Sequence, residues 1–190
     1  MKVVAFNGSA RKSGNTASMI KVVFEELEKE GIETELVEFG KDPIKGCDAC
    51  RRCFKEKNRK CAVEDDIVND CLEKMLEADG IILGSPVYFA DVSANMKAFI
   101  ERVGYVARAN DDMLRLKPGA SVVAVRRGGA VHTYDSMNHL FGICQMITVG
   151  SRYWNLGRAR EKGDFDSDEE GIETMRILGQ NMAWLLRKLG

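Results

Sequence analysis

Gly8-Ser9-Ala10-Arg11-Lys12-Ser13-Gly14-Asn15-Thr16 is the stretch that decides the fold. It leaves a short apolar run, Val3-Val4-Ala5-Phe6, and enters a segment where Met19, Ile20, Val23, Phe24 and Leu27 recur at helical spacing. The local order is therefore strand, loop, helix. At such a junction the backbone N–H groups and the helix dipole favour an anion. Ser9, Ser13, Asn15 and Thr16 add side-chain donors, and Arg11 adds charge suited to a phosphate dianion. Two other phosphate signatures are missing. There is no Gly-x-Gly-x-x-Gly spacing, and Gly14-Asn15-Thr16 stands where the Walker pattern needs Gly-Lys-Ser/Thr. An ordinary polar loop with an Asn or Ser cap has the same local composition, so the other loops must decide between the two readings.

Outward from this stretch, strands and helices alternate. Gly31 closes the first helix, and Glu33 to Phe39 reads as a second strand polar enough to lie towards a sheet edge. Ile67, Cys71, Leu72 and Met75 mark a second helix, and Gly80 to Gly84 a third, fully apolar strand. Ser93 is placed to cap a helix whose buried stripe is Met96, Phe99, Ile100 and Val103. Pro118-Gly119 breaks the chain before a fourth strand, Ala120 to Val125. A helix over 132–145 and a fifth strand, Met146 to Val149, follow. Ser167 and Glu170 have capping-box spacing ahead of a last helix with Ile172, Met175, Leu178, Met182, Leu185 and Leu189 on its apolar side. This pattern predicts an α/β fold: one domain over residues 1–190, with a five-stranded parallel sheet covered by helices on both faces.

In an open parallel sheet, ligands bind beyond the carboxyl ends of the strands. The loops after the first, third and fourth strands should thus converge on one crevice. Pro86-Val87-Tyr88-Phe89 offers a stiff aromatic edge suited to a flat ring, and Gly128-Gly129 allows close backbone approach. A phosphate site at one end and a ring slot at the other describe a mononucleotide.

Gly-Ser-x-Arg-x-x-Gly-Asn-Thr near the start, Ser-Pro-Val-Tyr in the middle and the later Gly-Gly resemble the NADPH-dependent FMN reductase group of flavodoxin-like proteins, over nearly the whole chain. The resemblance implies that Ser9, Arg11, Asn15 and Thr16 hold the phosphate of FMN. It implies too that Pro86, Val87, Tyr88 and Phe89 lie along the isoalloxazine, with Gly128 and Gly129 near its pyrimidine edge. It further implies a homodimer or homotetramer.

Cys47, Cys50 and Cys53 are spaced C-x2-C-x2-C, and Cys61 follows after seven more residues, all within a cysteine-rich loop over 45–63. Four thiolates so grouped can ligate a [4Fe-4S] cluster. The spacing resembles the iron-sulfur flavoprotein branch of the same family, in which a compact cysteine motif lies between the second strand and the second helix. A four-thiolate zinc site uses the same atoms, and four free thiols in a loop are the third reading. From Lys45 to Cys61 seven basic residues face only Asp48 and Glu56, a balance of +5 before any thiolate is counted. Such a patch could steer an acidic electron donor such as a ferredoxin. Cys71 and Cys144 read as core residues, His132 as a polar contact beside the flavin and His139 as structural. Ser151-Arg152-Tyr153-Trp154-Asn155 is open to three readings: a subunit contact, a flavin cover or core packing.

The whole chain of 190 residues has 45% hydrophobic content and a net charge of -1. That balance argues against a nucleic-acid or membrane-surface binder. No run approaches the roughly 18 apolar residues of a membrane span, and the expected location is cytoplasmic. The expected function is an FMN-dependent oxidoreductase that needs no catalytic side chain and moves electrons between FMN and a cluster. The alternatives are a cluster-free NAD(P)H-dependent FMN or quinone reductase, a flavodoxin-like carrier, and a zinc-stabilised module without flavin.

Overall fold

The computed structural model describes residues 1–190. Strand β1 (Lys2–Asn7) is followed by helix α1 (Asn15–Lys29), strand β2 (Glu33–Glu38) and a short helix α2 (Arg52–Glu56) within the cysteine loop. Then come α3 (Val68–Glu77), β3 (Gly80–Pro86), α4 (Ala94–Ala109), β4 (Pro118–Val125) and α5 (Ala130–Ile143). Strands β5 (Ile147–Thr148) and β6 (Leu156–Arg158), a 3-10 turn (Asp164–Ser167) and α6 (Glu169–Leu189) complete the chain. The sheet order is β2-β1-β3-β4-β5, all parallel, with β6 also paired to β4.

The expected fifth strand differs most from what is observed. Only Ile147 and Thr148 pair with the start of β4, while Leu156–Arg158 pair with its end, so two short segments share the last position of the sheet. The residues between them leave the sheet, and Tyr153 and Trp154 stand half-exposed with their rings edge to face at 4.6 Å. Core packing is thus excluded for those two rings, whereas Asn155 beside them is buried. Pro118 and Gly119 belong to β4 rather than preceding it. Proline is tolerated there because it is the first residue of the strand. The last helix is capped by Asp168, whose carboxylate accepts from Gly171 N at 3.2 Å, and not by Ser167, which closes the 3-10 turn.

The sheet separates two apolar layers. On one face α3, α4 and α5 pack with Val4, Phe6, Ile81, Leu83 and Val123; on the other α1 and α6 pack with Val3, Ala5, Ile82 and Val122. Cys71 and Cys144 are buried, and burial pushes their thiols up to about 12 and about 11. Helices α1 and α6 meet at Gly179, where a Cβ would lie 2.7 Å from Val23 O and 2.7 Å from Glu26 Cβ. Because Val23 O is backbone, the contact cannot be relieved by a rotamer change. Gly179→Ala is expected to destabilise the fold by about 1–3 kcal/mol, read as a lower urea midpoint at unchanged m.

Candidate functional site

The carboxyl ends of β1, β3, β4 and β6 open onto a cavity of about 310 Å³. One end is lined by Ser9, Arg11, Gly14, Asn15 and Thr16, and the opposite edge by Pro86, Val87 and Tyr88 above Ala124. The N-cap of α1 is Gly14, which supplies no capping side chain, so the N–H groups of the first turn are left as donors towards this cavity. The walls are strongly basic: Arg126, Arg160 and Lys162 join Arg11, with Glu161 the one acidic group. An uncapped helix start ringed by cations fits a phosphate, and the Pro86–Tyr88 edge fits a ring.

The loops are locked to each other by specific bonds. Ser93 N donates to Ser85 Oγ at 3.0 Å, while Ser93 Oγ donates to Gly8 O at 2.6 Å and accepts from Met96 N at 3.2 Å. One residue thereby caps α4, as expected, and ties together the loops after β1 and β3. Gly8 must be glycine for this contact, since a Cβ there would lie 2.7 Å from Met96 Cβ. Beyond Pro86, Val87 N donates to Ala124 O at 2.9 Å, and Tyr88 and Asp91 exchange backbone bonds. Asp91 accepts from Ser136 Oγ at 2.6 Å on α5 and lies 3.5 Å from His132. Partial burial would raise the Asp91 carboxyl, but Ser136, the Val92 N–H and His132 outweigh it and hold it below its ordinary value.

Several expected site residues also hold the loops around the cavity, and others lie outside its lining. The Asn15 amide lines the cavity and also ties the loops together: Nδ2 donates one of its two N–H groups to Glu161 O at 2.7 Å and Oδ1 accepts from Gly163 N at 3.0 Å. Ser9 Oγ is engaged with the Arg11 backbone at 3.1–3.2 Å, shaping the loop. Ser13 takes a left-handed φ of 51° and points its N–H to Glu38, outside the lining. Phe89 lies outside the lining: with φ of 48° at the tip of the turn, its ring is fully exposed. Gly128 faces open space, while Gly129 backs the loop, its φ of 91° bringing it against Val87 and Ala90. His132 pairs with Asp91 outside the lining, and His139 borders an apolar groove with Phe54, Tyr105 and Ile143.

Arg126, Ala159, Arg160, Glu161 and Lys162 complete the cavity and were not expected from sequence. Arg126 follows directly on β4; the other four arrive there because β6 pairs with the end of β4, and no local motif marks Leu156–Arg158 as a strand.

A second cavity, of about 360 Å³, is lined by Cys47, Cys50, Cys53 and Cys61 together with Arg51, Arg102 and Tyr105. The two cavities share no lining residue. Helix α4 relates them. Its N-terminus is tied to the phosphate-side loop through Ser93, and its middle supplies Glu101, whose carboxylate accepts from Cys47 N at 3.4 Å. Burial pushes the Cys53 thiol up, the Phe54 N–H opposing. No three His, Cys, Asp or Glu side chains are close enough together to hold a single metal ion.

A doubly wound parallel sheet in the order 2-1-3-4-5, with a phosphate-suited helix start at its carboxyl edge, defines a flavodoxin-like nucleotide-binding protein. The chain belongs to the NADPH-dependent FMN reductase family, whose pattern matches residues 1–161, and it is an FMN-dependent oxidoreductase. It is 37% identical to the iron-sulfur flavoprotein MJ1083 of Methanocaldococcus jannaschii over 199 aligned positions, covering 98% of each chain. It is 35% identical to an iron-sulfur flavoprotein of Methanosarcina thermophila over 152 positions, covering 79% of this chain and 78% of the relative. Among solved structures, a flavodoxin, WrbA-like protein from Agrobacterium tumefaciens superposes with a TM-score of 0.66 at 19% identity, covering 98% of this chain and 97% of that one. That likeness is one of fold. No helix is long and apolar enough to cross a membrane.

Proposed function

We propose that this protein holds FMN in the first cavity and a [4Fe-4S] cluster in the second, and transfers electrons between a one-electron protein donor and a two-electron acceptor. The observation that carries the cluster reading is the lining of one cavity of about 360 Å³ by all four cysteines of the loop, a space better suited to a cluster than to one ion. The name carried by the two archaeal relatives supports it. When bound, the flavin supplies one- and two-electron chemistry and the cluster one-electron chemistry.

The chain's own residues bind and orient. The first turn of α1 and the Thr16 and Arg11 side chains would receive the phosphate, with Ser9 and Asn15 holding the loops around it. Pro86, Val87 and Tyr88 would hold the flavin ring, with Gly129 packed behind them against Val87 and Ala90. The basic face of the cysteine loop would steer an acidic donor of the ferredoxin kind.

Anaerobic purification followed by an absorption spectrum, with iron, sulfide, zinc and FMN quantified on the same sample, tests the proposal. Flavin bands over a broad iron-sulfur shoulder, with about four irons per chain, are expected. Flavin without iron would leave a cluster-free reductase or carrier, and stoichiometric zinc would overturn the cluster. For the phosphate assignment, Arg11→Ala is expected to weaken FMN binding about tenfold or more, the scale of one hydrogen bond to a charged group. Titration of the apoprotein by flavin fluorescence reads this, and unchanged affinity would remove Arg11 from the site.

A further inference from the structure

Arg102, in the middle of α4, is the largest side chain in the molecule that is fully buried. Burying a guanidinium costs several kcal/mol unless its N–H groups are partnered. All of its partners belong to the cysteine segment or its immediate base. Nε donates to Cys61 Sγ at 3.2 Å, Nη1 to Lys45 O at 3.3 Å and Nη2 to Val63 O at 2.6 Å, while Nη1 also pairs with Asp66. Lys45 and Val63 are the two ends of the loop. A single side chain thus holds the loop's entry, its exit and its fourth cysteine.

Cys61 is the cysteine most in need of such a hold, because seven residues separate it from Cys53. Its backbone is fixed independently: Cys61 N donates to Asn69 Oδ1 at 2.8 Å, and Cys61 O accepts from Asn69 Nδ2 at 3.1 Å. An ion pair with Asp66 alone would account for a buried arginine as packing. It would not account for a donor aimed at a sulfur that lines the cavity.

We propose that Arg102 is a positioning residue for the sulfur site, fixing Cys61 as the fourth ligand and, through its N–H···S bond and permanent charge, raising the reduction potential of the cluster. The inference rests on the cluster reading above. A cation and a donor beside a ligating sulfur favour the oxidation state that carries more negative charge, which is the reduced one. The buried Asp66 carboxylate offsets part of the Arg102 charge, but the Nε–H aimed at Cys61 Sγ lies nearer the sulfur, in a dry position where water screens it little. Its fork is what allows three loop groups to be met at once, and a lysine ammonium has no such geometry.

The test compares wild type, Arg102→Lys and Arg102→Gln, each anaerobic and cluster-loaded. Four quantities are read: the cluster midpoint by EPR-monitored titration, iron release to a chelator, FMN content and circular dichroism. Both variants are expected to show a lower midpoint, the Gln variant lower than the Lys variant, and iron release about 10- to 100-fold faster, with FMN content as in wild type. Arg102→Lys keeps a partner for Asp66 and carries the test if Arg102→Gln unfolds. A wild-type midpoint and release rate in the variants would overturn the proposal. So would faster release at an unchanged midpoint, the signature of a loop clamp alone. A wild type that takes up no iron refutes the cluster reading itself, before either variant is measured.

Discussion

Replacing Cys50 with Ala is expected to remove iron from the anaerobically purified protein and to leave FMN bound. Cys50 is the exposed member of the four cysteines and makes no core contact, so its loss deletes one of the proposed ligands without opening the fold. A three-sulfur site would hold a [4Fe-4S] cluster poorly. The FMN cavity shares no lining residue with the cysteine cavity, and the loops that build it are fixed through Ser93, Ser85 and Gly8 rather than through the cysteine segment. Iron and flavin assays on one preparation read the result. Equal loss of both would mean that the cysteine loop is a structural part of the flavin site.

The second large effect is expected at Gly129. With φ of 91° it occupies the left-handed region, and a Cβ there would lie 2.7 Å from Ala90 Cα and 3.0 Å from Val87 Cγ1. Two penalties combine in Gly129→Ala. The backbone conformation costs about 1–2 kcal/mol for a residue with a Cβ, and the contact adds overpacking of about 1–3 kcal/mol against main chain. Relief must push the Pro86–Asp91 loop towards the ring side of the cavity, so FMN affinity falls together with stability. Gly128→Ala is the matched control, because a Cβ at Gly128 meets nothing within 4 Å. It should lie within about 0.5 kcal/mol of wild type. Urea unfolding and flavin titration of both variants separate the steric account from a general intolerance of the turn.

Much of the fold was legible because it is written in local patterns. The apolar run before Asn7, the helical stripe from Met19 to Leu27 and the buried strand at Gly80 each carry their period in a few adjacent residues. The Ser93 cap was legible for the same reason. Strand β6 was not, since Leu156-Gly157-Arg158 has no apolar alternation and is a strand only because the end of β4 is there to pair with it. The missed half of the phosphate-side cavity follows from that, as Arg160 and Lys162 gain their meaning from β6 alone. The exposure of Phe89 was not legible either, because the positive φ of the turn, and not its place next to Ser-Pro-Val-Tyr, decides where its ring goes. Arg102 did leave a signal: a cation among Phe99, Val103 and Val106 on a buried helix face calls for a partner, although sequence cannot say that the partner is Cys61.

The divided last position of the sheet bears on how this molecule avoids its own kind. A sheet edge exposes a row of unpaired N–H and C=O groups on which another chain can extend the ladder. Here one edge is broken into segments of two and three residues, Ile147–Thr148 and Leu156–Arg158. The other, β2, carries Glu33, Glu35 and Glu38, with Glu35 held by Lys2 and Lys74. Neither edge is a long flat template. Strand-to-strand growth between copies is therefore disfavoured at both ends of the sheet, which leaves the helices and loops as the favoured surfaces for contact between copies.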